Sequence, residues 1–537
     1  MKKRMIALLL ALVLVLGLAA CSGTSADTTQ DPTDATTPTA NDTSSDTTAA
    51  ADNTAAAGKT LSIALSENLV TLDPHDANNA PGYQPRNMCF DALVESDHAG
   101  NYTPGLAESW SFSDDGTQIT FVLRKDVKWQ DGTDFTAADV VCTFQRLIDN
   151  RELNISSIYW SLLESVESSD DYTVTITLSQ PYAAVMNSLS VTAIIQKAQW
   201  EAEGEAAFND QNFIGTGPWV FDEWIDGQYV HVTKNENYWG DFDSYYDDVY
   251  LRFVLEASTA VAAHRNGDVQ AYIASSGIAS DNIGLYDGSE DQIELVNINT
   301  GTVQYFGFQC GENSVFRDKN VRLAFAHAID RQSIADYVFG GQASVTDSFA
   351  VETVIGYSDK TAHYDYDPDT AKAYLADSIY NGEPIVLVSN TGTKKSQESL
   401  LAVSDMLQEV GFNSSVEIVE TATLSDLRAT GDYDVFLVAT MQENGEPYKY
   451  FNMRVLNDAH HSFFVDEALN EKIIESNSEM DPDARRALLE ECVVMWSEDL
   501  VHLPLVRLAS TYAITYGVEG IELYQDGLFN FKYVTHE

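Results

Sequence analysis

From residue 59 onward, stretches whose apolar residues recur at every second position exchange with stretches whose apolar residues recur at every third or fourth. A period of two marks a strand with one buried face, and helical spacing marks a helix with one buried stripe, so the exchange predicts α/β architecture. Thr60 to Leu65 (TLSIAL) reads as a strand leading into the turn-rich TLDPHDANN. Thr117 to Trp129 alternates as a strand and breaks at Asp131-Gly132, and Thr136 to Asp149 has helical spacing with Thr136 as N-cap. Asp171 to Tyr182 is another alternating strand, stopped at Pro181, and Asp226-Gly227 forms the turn of a hairpin. The second half is more helical. Asn320 to Phe339 reads as one helix ending at Gly340-Gly341, and Asp367 to Ser378 as a helix opening at Pro368. Ser396 to Phe412 and Asp483 to Leu500 are amphipathic helices, and Val501 to Leu508 (VHLPLVRL) then returns as a strand. No repeat of fixed period is present.

Before residue 59 the pattern changes twice. Lys2, Lys3 and Arg4 precede an apolar run from Met5 to Leu18, short for a transmembrane helix and suited to a signal-peptide core. The run ends in Leu18-Ala19-Ala20-Cys21, which resembles the bacterial lipobox. That resemblance implies removal of residues 1–20 and a diacylglyceryl group on Cys21; the alternative is an ordinary signal peptide with a chance cysteine. Residues 21–58 are almost wholly Thr, Ala, Asp, Ser, Asn and Pro, a composition that cannot bury enough apolar area to fold, so they read as a disordered tether. The expected location is the extracytoplasmic side of the cell membrane, cell surface or periplasm, held by lipid alone.

The roughly 480 residues that follow exceed one hydrophobic core and call for two or three domains. A net charge of −52 argues against nucleic acid as a partner, because a phosphate backbone would repel such a chain. Cys89, Cys142, Cys310 and Cys492 are scattered without metal-type spacing, which leaves free buried thiols or a disulfide. His460-His461 reads as a solvated loop, since adjacent histidines do not readily chelate one ion. Neither a metal nor another cofactor is expected.

Several stretches, taken in order, resemble the family-5 extracytoplasmic solute-binding proteins of ABC importers, the oligopeptide, dipeptide and nickel receptors. Leu72-Asp73-Pro74 stands where that family has its early LDP. The block PGLAESWSFSDDGTQITFVLRKDVKWQDGTDFTAADVV, Pro104 to Val141, follows the family's diagnostic block almost position by position. GTGPW at Gly215 to Trp219, NENYWG at Asn235 to Gly240, FRDKNVRLAFAHAIDR at Phe316 to Arg331 and YDPDTAKAYL at Tyr366 to Leu375 complete the resemblance. Most of these residues read as structural: Asp131-Gly132 as a turn, Gly215 and Gly217 as tight backbone, Asp139 as a helix cap or brace.

The resemblance implies a two-lobed fold of the type II periplasmic-binding-protein kind, of the large class with an extra subdomain inserted in the first lobe. Lobe I would take residues 59–300 plus 507–537, with the insertion at about 96–200, and lobe II residues 301–506. Ligand would lie between lobes that close by hinge motion. In peptide-binding members a carboxylate from a loop after a buried strand captures the ligand's α-amino group, and Glu443 of Glu443-Asn444-Gly445-Glu446-Pro447 matches it. The family residue is Asp, and the aromatic often found three positions earlier is Thr440 here. Glu443 also fits a solvated loop acid, and Glu446, beside Pro447, reads as structural. Asn444 and Tyr448 flank the candidate. From the first lobe, Tyr159 and Trp160 would lend aromatic contact, with core packing as the other reading, and Asn79 and Tyr83 follow the LDP motif as further candidates.

The expected function is therefore a lipid-anchored receptor, a monomer, that delivers peptides to ABC permease subunits and catalyses nothing. The same fold could take a nickel chelate, an oligosaccharide or another amine-bearing solute. A hydrolase using Glu443 and Glu446 is a distant alternative, because acids three residues apart on one loop need not face each other across a substrate.

Overall fold

The computed structural model describes residues 59–537 apart from 392–393, 441–444, 448–450, 459–460 and 526. Cys21, Glu443, Asn444 and Tyr448 lie outside the described residues. The signal segment and the tether do too.

Strand β1, Thr60–Leu65, is buried from Leu61 onward, as a parallel strand covered on both faces must be. Helix α1, Ala80–Cys89, follows the LDP loop, and a short hairpin, β2 (Val94–Ser96) with β3 (Tyr102–Pro104), leaves it. A separate antiparallel sheet of order β4-β5-β7-β6 is built from β4 (Ala107–Phe112), β5 (Gln118–Leu123), β6 (Leu163–Asp170) and β7 (Thr173–Leu178). Helices α2 (Ala137–Asp149) and α3 (Asn154–Tyr159) lie between β5 and β6. The main sheet takes up β8 (Trp219–Ile225), β9 (Tyr229–Lys234), β10 (Asp248–Phe253), β11 (Ala271–Ile273) and β12 (Ile293–Phe308). It continues with β13 (Ala343–Val345), β14 (Pro384–Asn390), β15 (Asn413–Val419), β16 (Val435–Thr440) and β17 (His502–Thr515). Among the described residues it has eleven strands, in the order β15-β14-β16-β12-β17-β11-β1-β10-β9-β8 with β13 paired to β17.

Three large cores hang on these sheets. One is built from residues 303–506, one from residues 93–194 around the four-stranded sheet, and one from residues 61–90, 193–273 and 512–534. The antiparallel pair β12 and β17 runs from the third core into the first. Its register breaks between Asn299 and Val303, which leaves Thr300, Gly301 and Thr302 out of the ladder. Arg507 fills the break: its Nε donates to Thr300 O at 2.7 Å, Nη2 donates to Asn299 O at 3.1 Å, and Nη1 pairs with Glu352. One guanidinium thus satisfies carbonyls that the broken ladder leaves open.

Most local expectations have their counterparts. Thr136 caps α2, and the Asp139 carboxylate accepts the backbone N–H groups of Thr136 and Lys197 at 2.9 Å each. The helix read over Asn320 to Phe339 is divided. Helix α4, Lys319–His327, stops, and Asp330 starts a new turn by accepting Ser333 N–H at 3.0 Å and Ser333 O–H at 2.6 Å. The strand read over Thr117 to Trp129 ends at Leu123, and the rest turns about Asp131-Gly132, with Trp129 N–H donating to Thr133 O at 2.9 Å. Helix α5, Lys394–Val410, buries Leu400, Val403 and Leu407 at helical spacing, and helix α6, Pro482–Asp499, starts at the cap Asp481. Among the described residues no helix is long and apolar enough to cross a membrane. Cys89, Cys310 and Cys492 are buried free thiols and Cys142 is a half-buried one; burial pushes Cys142 up to about 11 and Cys310 and Cys492 up to about 12.

Candidate functional site

Helix α1 is held from three sides, and its exposed side walls a cavity of about 160 Å³. Asn79 caps its start, accepting Gly82 N–H at 3.1 Å while its own amide donates to Asn68 O at 2.9 Å. Gln84 ties it to the C-terminal tail by donating to Phe529 O at 2.8 Å. The Gly-Thr-Gly-Pro-Trp loop packs on its end: Gly217 N–H donates to Cys89 O at 2.9 Å, and a methyl on Gly215 would lie 1.7 Å from that oxygen. Trp219 then donates from its indole to Lys532 O at 2.9 Å. The glycines of this motif serve close backbone approach, and the tail they help hold is the cavity's far wall.

The lining comes from residues 83–98, 190–193 and 522–533. Lys532 lies within it, paired with Asp91 at 2.8 Å and Glu95 at 2.7 Å. Burial opposes its charge, but the two carboxylates outweigh burial and raise its pKa well above the ordinary lysine value. Asp91 also accepts the indole N–H of Trp239 at 2.8 Å, and Glu95 accepts the phenol of Tyr533 at 3.1 Å. Glu522 accepts Tyr524 O–H at 2.6 Å and the Asn530 amide at 3.1 Å. His98, in the turn between β2 and β3, stacks on Tyr524 with ring centres 3.6 Å apart.

Arg86 faces this cavity from α1. Its Nε donates to Asn87 Oδ1 at 3.1 Å, and its guanidinium lies 4.6 Å from the centre of the Tyr83 ring. Burial lowers its pKa, and the neighbouring phenols of Tyr83 and Tyr159 act in the opposite direction. One of the sequence candidates, Tyr83, therefore packs on an arginine that sequence reasoning did not single out, and a second, Tyr159, is near enough to act on its charge.

The remaining candidates separate. Asn79 is engaged as the α1 cap and does not line the cavity. Trp160 is fully buried, donates its indole N–H to Thr192 at 2.8 Å and packs edge-on against Phe144, so the structure places it in the core. Glu443, Asn444 and Tyr448 are outside the described residues, whereas Gly445, Glu446 and Pro447 between them are described. Gly445, at φ +67°, comes so near the β2–β3 turn that a methyl there would lie 2.9 Å from Gly100 N. Glu446 is buried and accepts both ends of the Arg485 guanidinium, at 2.9 and 2.6 Å. That is the structural role read for Glu446, and it leaves this acid no freedom for acid–base chemistry on a substrate. The turn that Gly445 touches is the one that carries His98 into the cavity wall. His461 is held by its backbone, its N–H on Asp458 O and its carbonyl on the Tyr433 hydroxyl; His460 lies outside the described residues. Among the described residues no cluster of His, Cys, Asp and Glu is arranged to hold a metal ion.

The model of the bacterial extracellular solute-binding proteins, family 5, matches residues 101–461. The glutathione-binding protein GsiB of Escherichia coli (strain K12) is 30% identical over 378 residues, 70% of this chain and 72% of its own length. HbpA2 from Haemophilus parasuis superposes with a TM-score of 0.80 at 23% identity, over 89% of this chain and 100% of its own. The periplasmic binding protein DppA from Helicobacter pylori, solved with the peptide STSA, superposes with a TM-score of 0.69 at 22% identity, over 89% of this chain and 98% of its own. The fold is that of the type II periplasmic binding proteins. The chain belongs to the family-5 bacterial extracellular solute-binding proteins, which act as receptors for ABC importers and are not enzymes.

Proposed function

We propose that this chain is a lipid-anchored monomer on the extracytoplasmic side of the membrane, which binds peptides in a cleft between two lobes and delivers them to an ABC permease. The observation that carries the peptide reading is the likeness to GsiB, the 30%-identical relative named for glutathione, itself a tripeptide with a free α-amino group and free carboxylates. The lobes would be residues 59–300 with 507–537 and residues 301–506, bending where the β12–β17 register breaks at Thr300 to Thr302. Glu443 is the proposed receptor for the ligand's ammonium group. A charge-assisted hydrogen bond shielded from water suits that role, and Gly445, two residues on, packs against the β2–β3 turn that carries His98. Cys21 is the proposed lipid attachment point, so Cys21→Ala is expected to move the protein from the membrane fraction to the soluble one.

The test begins with mass spectrometry of small molecules released from the purified protein, where peptides are expected. Glu443→Gln should then weaken free-amine peptides about tenfold or more, while N-acetylated peptides bind weakly to wild type already. Recovery of a metal chelate or a glycan in place of peptides would reject the reading. An unchanged affinity in Glu443→Gln would remove that residue from the site.

A further inference from the structure

The cavity lining carries three carboxylates, Asp91, Glu95 and Glu522, and two cations, Arg86 and Lys532, and their pairing is uneven. Lys532 meets two carboxylates, and Glu522 is held by a phenol and an amide. Arg86 hydrogen-bonds only through Nε, to a neutral amide, and no carboxylate among the described residues pairs with it. Its two terminal nitrogens take no partner there. The buried arginines are completed within the fold: Arg146 pairs with Asp73, Arg331 with Asp347, Arg485 with Glu446 and Arg507 with Glu352, while Arg322 donates to the carbonyls of Phe316, Arg317 and Asp499. Arg86 is half-buried, and a guanidinium partly withdrawn from water without a counter-charge gains from a group that completes it. Its planar fork matches a carboxylate at two points. The phenols of Tyr83 and Tyr159 beside it add an aromatic face and polar tips without supplying that charge.

Size narrows what could arrive. About 160 Å³ is close to the volume of an engineered cavity that takes a single benzene ring, so the space fits one carboxylate on a short stem and not a whole peptide. Charge narrows it further. A chain of net charge −52 repels anions at range, so an acidic group is retained only where a local cation faces it.

Resting on the peptide-receptor reading, we propose that Arg86 is the binding site for a carboxylate of the transported solute, so that the ligand class is peptides with a free C-terminal carboxylate or an acidic side chain seated against α1. Nothing in the Glu443 assignment requires this, because the two sites would read opposite charges on one ligand.

The test titrates the full chain by calorimetry with five probes: Ala-Ala-Ala, its C-terminal amide, Ala-Glu-Ala amide, Ala-Gln-Ala amide and glutarate. In wild type the acid is expected to bind about 10- to 100-fold tighter than its neutral counterpart in at least one pair. The first pair reports a C-terminal carboxylate and the second a side-chain carboxylate. In Arg86→Met the gap should close to within about twofold, and Arg86→Lys should keep part of it, since an ammonium retains the charge and loses the fork. Equal binding within both pairs, or a gap that persists in Arg86→Met, overturns the inference and leaves the peptide reading standing. Arg86-dependent binding of glutarate with no peptide bound does the reverse. Failure of every probe to bind overturns both. Should Arg86→Met fail to fold, Arg86→Lys and the wild-type pairs decide the matter.

Discussion

Arg485 is buried and Arg86 half-buried against a cavity, and only the first meets a carboxylate. Arg485, in the first turns of α6, closes a two-point fork on Glu446, and both side chains are buried. Burial works against its charge, yet Glu446 raises its pKa. The pair pins the loop that follows β16 to α6 and needs nothing from outside. Arg86 has a neutral amide on one nitrogen, phenols for neighbours and a cavity in front. One arginine is completed by the fold; the other is left for something the fold does not contain. Residue type alone does not separate the two roles; what the fold supplies to the guanidinium does, a carboxylate for Arg485 and backbone carbonyls for the buried Arg322.

The strongest way to break that comparison is to remove Arg485. Arg485→Ala leaves the Glu446 carboxylate buried without its cation, and the expected loss is about 3–5 kcal/mol of unfolding free energy in urea. The double variant Glu446→Leu with Arg485→Leu should lose much less, because a buried ion pair replaced by apolar groups forfeits its Coulomb energy and its desolvation penalty together. A single-variant loss under about 1 kcal/mol would place Arg485 beside Arg86 and dissolve the distinction.

A second completed arginine sharpens it through pH. Arg146 pairs with Asp73 and Glu205, and its Nη1 donates to His75 Nδ1 at 2.7 Å. His75 must accept there, so its Nε2–H donates to Ala193 O at 2.8 Å. Burial, and then the Arg146 charge, push His75 down to about 4, although Asp73 pulls the other way. The unfolded chain takes up that proton near pH 6.5, before the folded one does. Stability present above that pH is therefore lost as the pH falls toward 4, by on the order of 3 kcal/mol. Urea melts of wild type and His75→Gln between pH 7.5 and 4.5 should show the variant's deficit shrinking as the pH drops. Parallel curves would mean that His75 does not carry the proton difference.

How much of this was legible in the sequence depends on how far apart the partners lie. The α2 cap, the Asp226-Gly227 hairpin and the family motifs are local, and period and turn chemistry announce them. The long strand β12 is not announced by the sequence, because Thr300-Gly301-Thr302 interrupts its apolar pattern where the ladder's register breaks and Arg507 fills the gap. The division of the helix after His327 escaped because Asp330 interrupts a run whose apolar spacing continues on both sides. Tyr83 and Tyr159 could be nominated through the family resemblance. Arg86 could not, since an arginine between Pro85 and Asn87 looks like any surface charge until α1 is closed against a tail more than 400 residues away. Trp160, for which the sequence left ligand contact and core packing both open, turns into the core, where its indole nitrogen finds Thr192.

The smallest expected effect is also the most discriminating. Arg86→Met removes one hydrogen bond to a neutral amide and one cation–π contact, each about 1 kcal/mol, while keeping an apolar stem against Tyr83. Against those losses it also removes a guanidinium held without a counter-charge, which is itself unfavourable. The two effects oppose each other, so the net change in stability should stay within about 1 kcal/mol, with an unchanged urea m-value. Arg485→Ala offers no such offset, since it creates the unpaired charge that Arg86→Met takes away. A loss of about 3 kcal/mol or more in Arg86→Met would mean that the fold completes Arg86 after all, and it would end the case for Arg86 as a ligand receptor.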